Sequence, residues 1–276
     1  RDVASPFLTS IQENAVKPIE PVFLDFKKDM SQLTAKSDIP VLYKQNTTND
    51  LFQLIYVFDM GNNNDKALGT AFDYLEYLGT SDMTPEELKS EFYRLACTFY
   101  VSPGNERTYV VLSGLNENMP AAMQLFEKLL ADAQVNKEAY NNLVGDILKA
   151  RADAKLNQGQ NFSRLMNYAM YGPKSPATNL LTEAELASMN PQELVDRIHN
   201  QNNYKHRILY YGPSSSKDLL ATIDQYHQVP ATLKDIPAGN EFSYLETPAT
   251  KVLVAPYEAK QIYMAQISNL DKKYMS

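Results

Sequence analysis

Three histidines, one cysteine and a run of serines are the residues of this chain best suited to chemistry. His199, His206 and His227 stand seven and twenty-one positions apart. Paired ligands on one face of a metal-binding helix recur at three or four residues, so no two of these histidines form such a pair in sequence. The first falls on a predicted helix, the second on a predicted strand and the third beside a connector. All three are expected to be surface or locally hydrogen-bonded residues. Cys97 lies within an apolar segment and reads as a buried thiol rather than a nucleophile, and a lone cysteine rules out an intrachain disulfide. Ser214, Ser215 and Ser216 read as a helix start, with Ser216 ahead of Asp218. Neither a nucleophile elbow, a Gly-x-Gly-x-x-Gly turn nor a phosphate loop occurs.

The elements that would position these residues can be read from periodicity and punctuation. Val41–Tyr43 and Leu51–Met60 carry strand-type residues on either side of Asn46-Thr47-Thr48-Asn49, predicting a hairpin. Leu68, Phe72, Leu75 and Leu78 recur at helical spacing before Gly79, predicting a helix over 65–78. Thr84-Pro85-Glu86-Glu87 is a capping box with proline at the first helical position. Thr98–Val101 and Thr108–Leu112 flank the turn Ser102-Pro103-Gly104-Asn105 and predict an antiparallel pair. Helices follow over 119–133, 137–156 and 162–168, then one capped by Asn190-Pro191, a strand at 206–211 and a helix at 217–226. Lys251–Ala255 and Gln261–Ser268 read as a last strand pair turning at Pro256. The order β-β-α-α-β-β-α-α-α-α-β implies an α+β fold, a two-layer sandwich with a mainly antiparallel sheet packed on helices.

Composition narrows the function. The formal charge of −7 and the lack of a basic stripe argue against a nucleic-acid partner. No apolar run approaches the ~18–20 residues that span a bilayer.

Five short words recur in an order that carries more than any one of them: Phe58-Asp59-Met60-Gly61, Leu78-Gly79-Thr80, Arg107-Thr108-Tyr109, Leu112-Ser113-Gly114-Leu115 and Leu209-Tyr210-Tyr211-Gly212. On these words and on its element order, the stretch 36–212 resembles one repeat of the pitrilysin/insulinase (inverzincin) family of zinc peptidases. The resemblance implies paired homologous repeats that close around a peptide. In such peptidases only some repeats carry the zinc motif H-x-x-E-H, on the helix ahead of the Gly-Thr.

Here that motif is degenerate. Counting back from Gly79-Thr80, its five positions are Thr70, Ala71, Phe72, Asp73 and Tyr74. A hydroxyl and a phenol replace the two imidazoles, and Asp73 replaces the catalytic glutamate. A neutral phenol, with a pKa near ~10, is no substitute for imidazole at a catalytic zinc. The last ligand of the family, a glutamate on a later helix, corresponds to the neighbourhood of Gly145, Asp146 and Lys149, where only Asp146 could bind a metal and reads equally as part of a solvated helix face. The resemblance therefore implies that this chain holds no zinc, zinc being the cofactor of a catalytic partner repeat in the same or another chain.

In catalytic repeats of the family an edge strand pairs with extended substrate. The corresponding segment here is Tyr100, Val101, Ser102 and Pro103, where Pro103 lacks a backbone donor; Tyr100 and Val101 are the candidate peptide contacts. The expected organisation is an exit from a preceding domain over 1–35, a non-catalytic repeat over 36–212, a helical connector over 213–249, and over 250–276 a strand pair opening a following repeat. Val252, Val254, Ile262 and Met264 would then face a core supplied from outside the segment. The implied function is a chamber wall and peptide path beside a separate zinc site. A non-enzymatic assembly subunit derived from the same family is the alternative.

Overall fold

More and less buried side chains alternate over 51–56 and again along Cys97–Pro103, which is the signature of a sheet with one face on a core. The computed structural model describes residues 5–14, 20–21 and 23–269, which fall into two units, 1–31 and 32–276. In the first unit, helix α1 (Pro6–Gln12) is capped by the Ser5 side chain, which accepts from the Leu8 N–H, and buries none of its residues.

The second unit is a mixed α+β fold. Its strands are β1 (Ser31–Ala35), β2 (Ile39–Gln45), β3 (Leu51–Phe58), β4 (Cys97–Pro103), β5 (Thr108–Leu115) and β6 (Arg207–Gly212). They form one six-stranded sheet in the order β1-β2-β6-β3-β5-β4. β3 runs antiparallel to β5 and β6, β4 antiparallel to β5, and β2 parallel to β6. The antiparallel pair β4–β5 is as the sequence predicts. The β2–β3 hairpin is not: β6 inserts between them, pairing Val41 with Ile208 on one side and Tyr56 with Ile208 on the other. Asn46 still organises a turn at 46–49, accepting from Thr48 and donating to Asn49 Oδ1, but the turn now steps across a strand.

The helices are α2 (Leu68–Leu75), α3 (Pro85–Arg94), α4 (Met119–Asp132), α5 (Lys137–Lys155), α6 (Gln158–Tyr171), α7 (Glu183–Ser188), α8 (Pro191–Asn200) and α9 (Ser216–Tyr226). The capping box at Thr84 is formed in full, with Glu87 donating its backbone N–H to the threonine hydroxyl and accepting the Thr84 N–H. Ser215, not Ser216, caps α9, because it is the Ser215 hydroxyl that accepts the Asp218 N–H. α2, α3 and α4 pack on β4, α4 also packs on β5, and α8 and α9 pack against this layer. The core between the layers includes Leu54, Tyr56, Phe58, Leu112, Phe126 and Ile208.

The strand pair predicted over 251–255 and 261–268 does not form; residues 251–269 are irregular. Two short strand-like stretches alone cannot form a stable pair. Val252, Val254, Ile262 and Met264 are exposed, and the segment instead follows the outer helices: the Gln158 amide donates to the Gln261 carbonyl, and Tyr263 packs edge-on against Phe162.

Candidate functional site

The helix that would carry a zinc motif, α2, is built for packing. Tyr74 is fully buried; its hydroxyl donates to the Asn136 carbonyl at 2.6 Å and accepts the Asn136 N–H at 2.9 Å. Asn136 in turn caps α5 through Ala139, so Tyr74 ties α2 to the start of its neighbour. Burial raises the phenol's pKa, which keeps it neutral. Thr70 is half-buried, while Asp73 and Asp146 are exposed on packed helices. Among the described residues no three His, Cys, Asp or Glu side chains come together as a metal site. Cys97 is buried, and burial pushes its thiol up. A cleft of about 590 Å³ lies between Gly79–Pro85 and Gln134–Lys137, and a second of about 350 Å³ lies beside α8; neither is lined by histidine or cysteine.

The sheet has a face that the helices leave alone. Side chains on that face can be followed from strand to strand by register: Leu42, Leu209, Ile55, Val111 and Tyr100 stand in one row. None belongs to the hydrophobic cluster between sheet and helices, although Val111 is itself buried and Leu42, Leu209 and Ile55 are half-buried. The row on one side is polar, with Lys44, Tyr211, Gln53, Ser113 and Thr98. On the other side stand Arg207, Val57, Tyr109 and Ser102. Tyr100, on edge strand β4, is 52% exposed, and Tyr109 and Tyr211 are also exposed. Val101 points the other way, toward the helices, where it packs against the core. Of the two candidate peptide contacts, only Tyr100 presents its side chain to this open face.

At the end of the same face two of the sequence words meet Arg207. Asp59, just past β3, accepts from Arg107 Nε at 2.8 Å and from Arg207 Nη1 at 2.6 Å. The Arg207 hydrogen bond, with Arg107 adding to it, holds the Asp59 carboxyl below its ordinary range. Gly61 permits this end of β3 to approach the 104–107 turn: a Cβ there would lie 2.4 Å from the Gly104 carbonyl oxygen.

A buried polar cluster corrects the reading of two histidines as surface or locally bonded. His206 Nε2 lies 2.9 Å from His227 Nε2, and His227 Nδ1 lies 2.6 Å from Glu127 Oε1. The Tyr56 hydroxyl donates to Glu127 Oε1, while the Asn202 amide and the Gln228 N–H donate to Oε2. His206 Nδ1 meets the Tyr204 carbonyl at 2.7 Å and must carry its hydrogen there. A neutral His206 then offers Nε2 as an acceptor, so His227 donates from its own Nε2, and His227 and Glu127 hold one further proton between them. Burial, with His227 adding to it, lowers the His206 pKa to about 4. Burial and the neighbouring Glu127 charge raise Tyr56 far above its ordinary value. With all four side chains buried from solvent, the cluster is an internal clamp joining β3, α4 and the end of α9. His199 is half-buried and is not locally bonded either, its Nε2 lying 3.0 Å from the carbonyl of Ala133, 66 residues earlier.

Solved structures share this fold. The chain matches the periplasmic protease PqqL from Escherichia coli with a TM-score of 0.70 at 15% identity, over 90% of this chain and 31% of that one. It matches the inactive domain of an M16 peptidase from Pseudomonas fluorescens with a TM-score of 0.62 at 15% identity, over 79% of this chain and 53% of that one. The fold is that of an M16 peptidase domain. A third match is the ferredoxin protease FusC, solved in complex with Arabidopsis ferredoxin, with a TM-score of 0.67 at 11% identity, over 84% of this chain and 27% of that one. The chain thus spans between 27% and 53% of these structures. No family model matches the sequence, and no curated protein matches it. Among the described residues no helix is long and apolar enough to cross a membrane.

Proposed function

We propose that this chain is a non-catalytic repeat of a zinc metallopeptidase of the pitrilysin/insulinase type. Its open sheet face lines a chamber and forms part of the path of a peptide substrate. Hydrolysis by metal-activated water takes place on another repeat, in the same or another chain, and zinc belongs to that repeat. The observation that carries the reading is the apolar row Leu42–Leu209–Ile55–Val111–Tyr100 on the sheet face away from the helices, half-buried except for buried Val111 and exposed Tyr100, on a fold shared with an inactive M16 domain. A wall facing unfolded peptide can use the partly exposed Leu42, Leu209 and Ile55 and the exposed Tyr100 as its apolar contacts. The edge strand β4 supports the same role, since its outer backbone groups can pair with an extended chain as far as Pro103, with Tyr100 beside it. In place of imidazoles, α2 has the Tyr74 clamp, which supports assigning hydrolysis elsewhere.

The test is to assay cleavage of unfolded peptides by this chain alone, by co-expressed neighbouring domains, and by the two mixed. The reading requires no cleavage from the chain alone and faster cleavage on mixing. Activity of the chain alone that is lost on chelation and restored by zinc would overturn it. A stable but inert mixed complex would favour an assembly subunit instead.

A further inference from the structure

Arg107, Asp59 and Arg207 come from three separate stretches of chain and meet at the end of the open face. One carboxylate shared by two guanidiniums leaves a net charge of +1, in a chain whose formal charge is −7. Asp59 stays ionised at neutral pH because the Arg207 hydrogen bond holds its carboxyl below its ordinary range, so the count stands. Glu106, the nearest acidic residue in sequence, is exposed and stands outside this network. Arg107 touches Asp59 through Nε, and its side chain is 55% exposed. Arg207 stands in the row that also carries Val57 and Tyr109, two residues along the strands from the apolar row through Leu209 and Ile55. That step is about 7 Å, and an extended peptide repeats its same-side side chains at the same interval.

We propose that this face selects extended polypeptide segments in which an acidic side chain lies two residues from an apolar one, the carboxylate meeting Arg107 and Arg207 and the apolar group meeting the Leu209–Ile55–Val111 row. The inference deepens the peptide-path reading and rests on it. The occupant is set by charge complementarity: the face offers an exposed cationic end beside an apolar strip, and a guanidinium pair matches a carboxylate in shape as well as charge.

The experiment uses three blocked, fluorescently labelled peptides, acetylated and amidated so that only side chains carry charge. They are identical except for Asp, Asn or Lys two residues from a leucine, and fluorescence anisotropy gives their affinities for the full chain at low and high salt. The Asp peptide should bind roughly threefold to fivefold more tightly than the Asn peptide, the range an exposed ion pair provides, with the gain shrinking as salt rises. The Lys peptide should be the weakest. Arg107→Gln should abolish the Asp advantage and leave the Asn peptide unchanged, with an unaltered circular dichroism spectrum reporting an intact fold. Equal binding of the Asp and Asn peptides, or an advantage that survives Arg107→Gln, would overturn the inference and leave the peptide path standing. No binding by any of the three would remove the peptide path and this inference together.

Discussion

Acid should weaken this fold through His206, between pH 7 and pH 5. Its imidazole is 7% exposed and its pKa falls to about 4, against an ordinary value of 6.5. Because the folded form binds the proton less readily than the unfolded form, His206 contributes stability above pH 6.5, and that contribution is lost as pH falls toward 4. The full depression corresponds to about 3 kcal/mol, of which about 2 kcal/mol is lost between pH 7 and pH 5. The geometry supplies the reason: a second proton on His206 would set two N–H groups against each other across the 2.9 Å contact with His227. His206→Gln keeps an acceptor for His227 and a donor for the Tyr204 carbonyl but removes the titration. Urea unfolding followed by circular dichroism at pH 7, 6 and 5 should show the wild type losing about 2 kcal/mol more than the variant across that range. The variant itself should cost about 1–2 kcal/mol at pH 7 through imperfect packing. Identical pH profiles for the two proteins would refute the reasoning.

Two further outcomes follow from buried partners. Glu127→Ala strips acceptors from Tyr56, Asn202, the Gln228 N–H and His227 at once and should cost about 3–5 kcal/mol, read from the same urea curves. Tyr74→Phe leaves the Asn136 N–H unpaired and its carbonyl with the Tyr140 N–H alone, and should cost about 1–3 kcal/mol; installing histidines at 70 and 74 with glutamate at 73 should destabilise α2 and yield no zinc-dependent cleavage.

Where local chemistry decides the structure, the sequence is legible. The Thr84 capping box, the β4–β5 hairpin and the helices α4, α5 and α8 all lie where periodicity and caps put them. Long-range pairing decides the rest. Nothing near Val41 or Leu51 announces that β6, more than 150 residues away, will slot between β2 and β3. The segment 251–269 has strand-like residues but pairs with no strand of the sheet. α7 could have been read, since Thr182-Glu183-Ala184-Glu185 is a capping box of the same form as the one at Thr84. The His206–His227–Glu127 cluster could not, because its members are 21 and 100 residues apart and no spacing rule on one helix reaches them. On the open face, alternation along each strand points Tyr100 and Val101 to opposite sides, a distinction that the edge-strand resemblance alone passes over.

The central claim is that the sheet's open face contacts peptide while the chemistry happens elsewhere. A single titration tests it: one labelled unfolded peptide, with zinc present, is added to the wild-type chain and to Ile55→Asp, and anisotropy and cleavage are read from the same samples. The account predicts saturable binding to the wild type, weaker binding to a variant that remains folded, and uncleaved peptide throughout. Zinc-dependent cleavage by the chain alone, or binding indifferent to a charge in the middle of the apolar row, would contradict it.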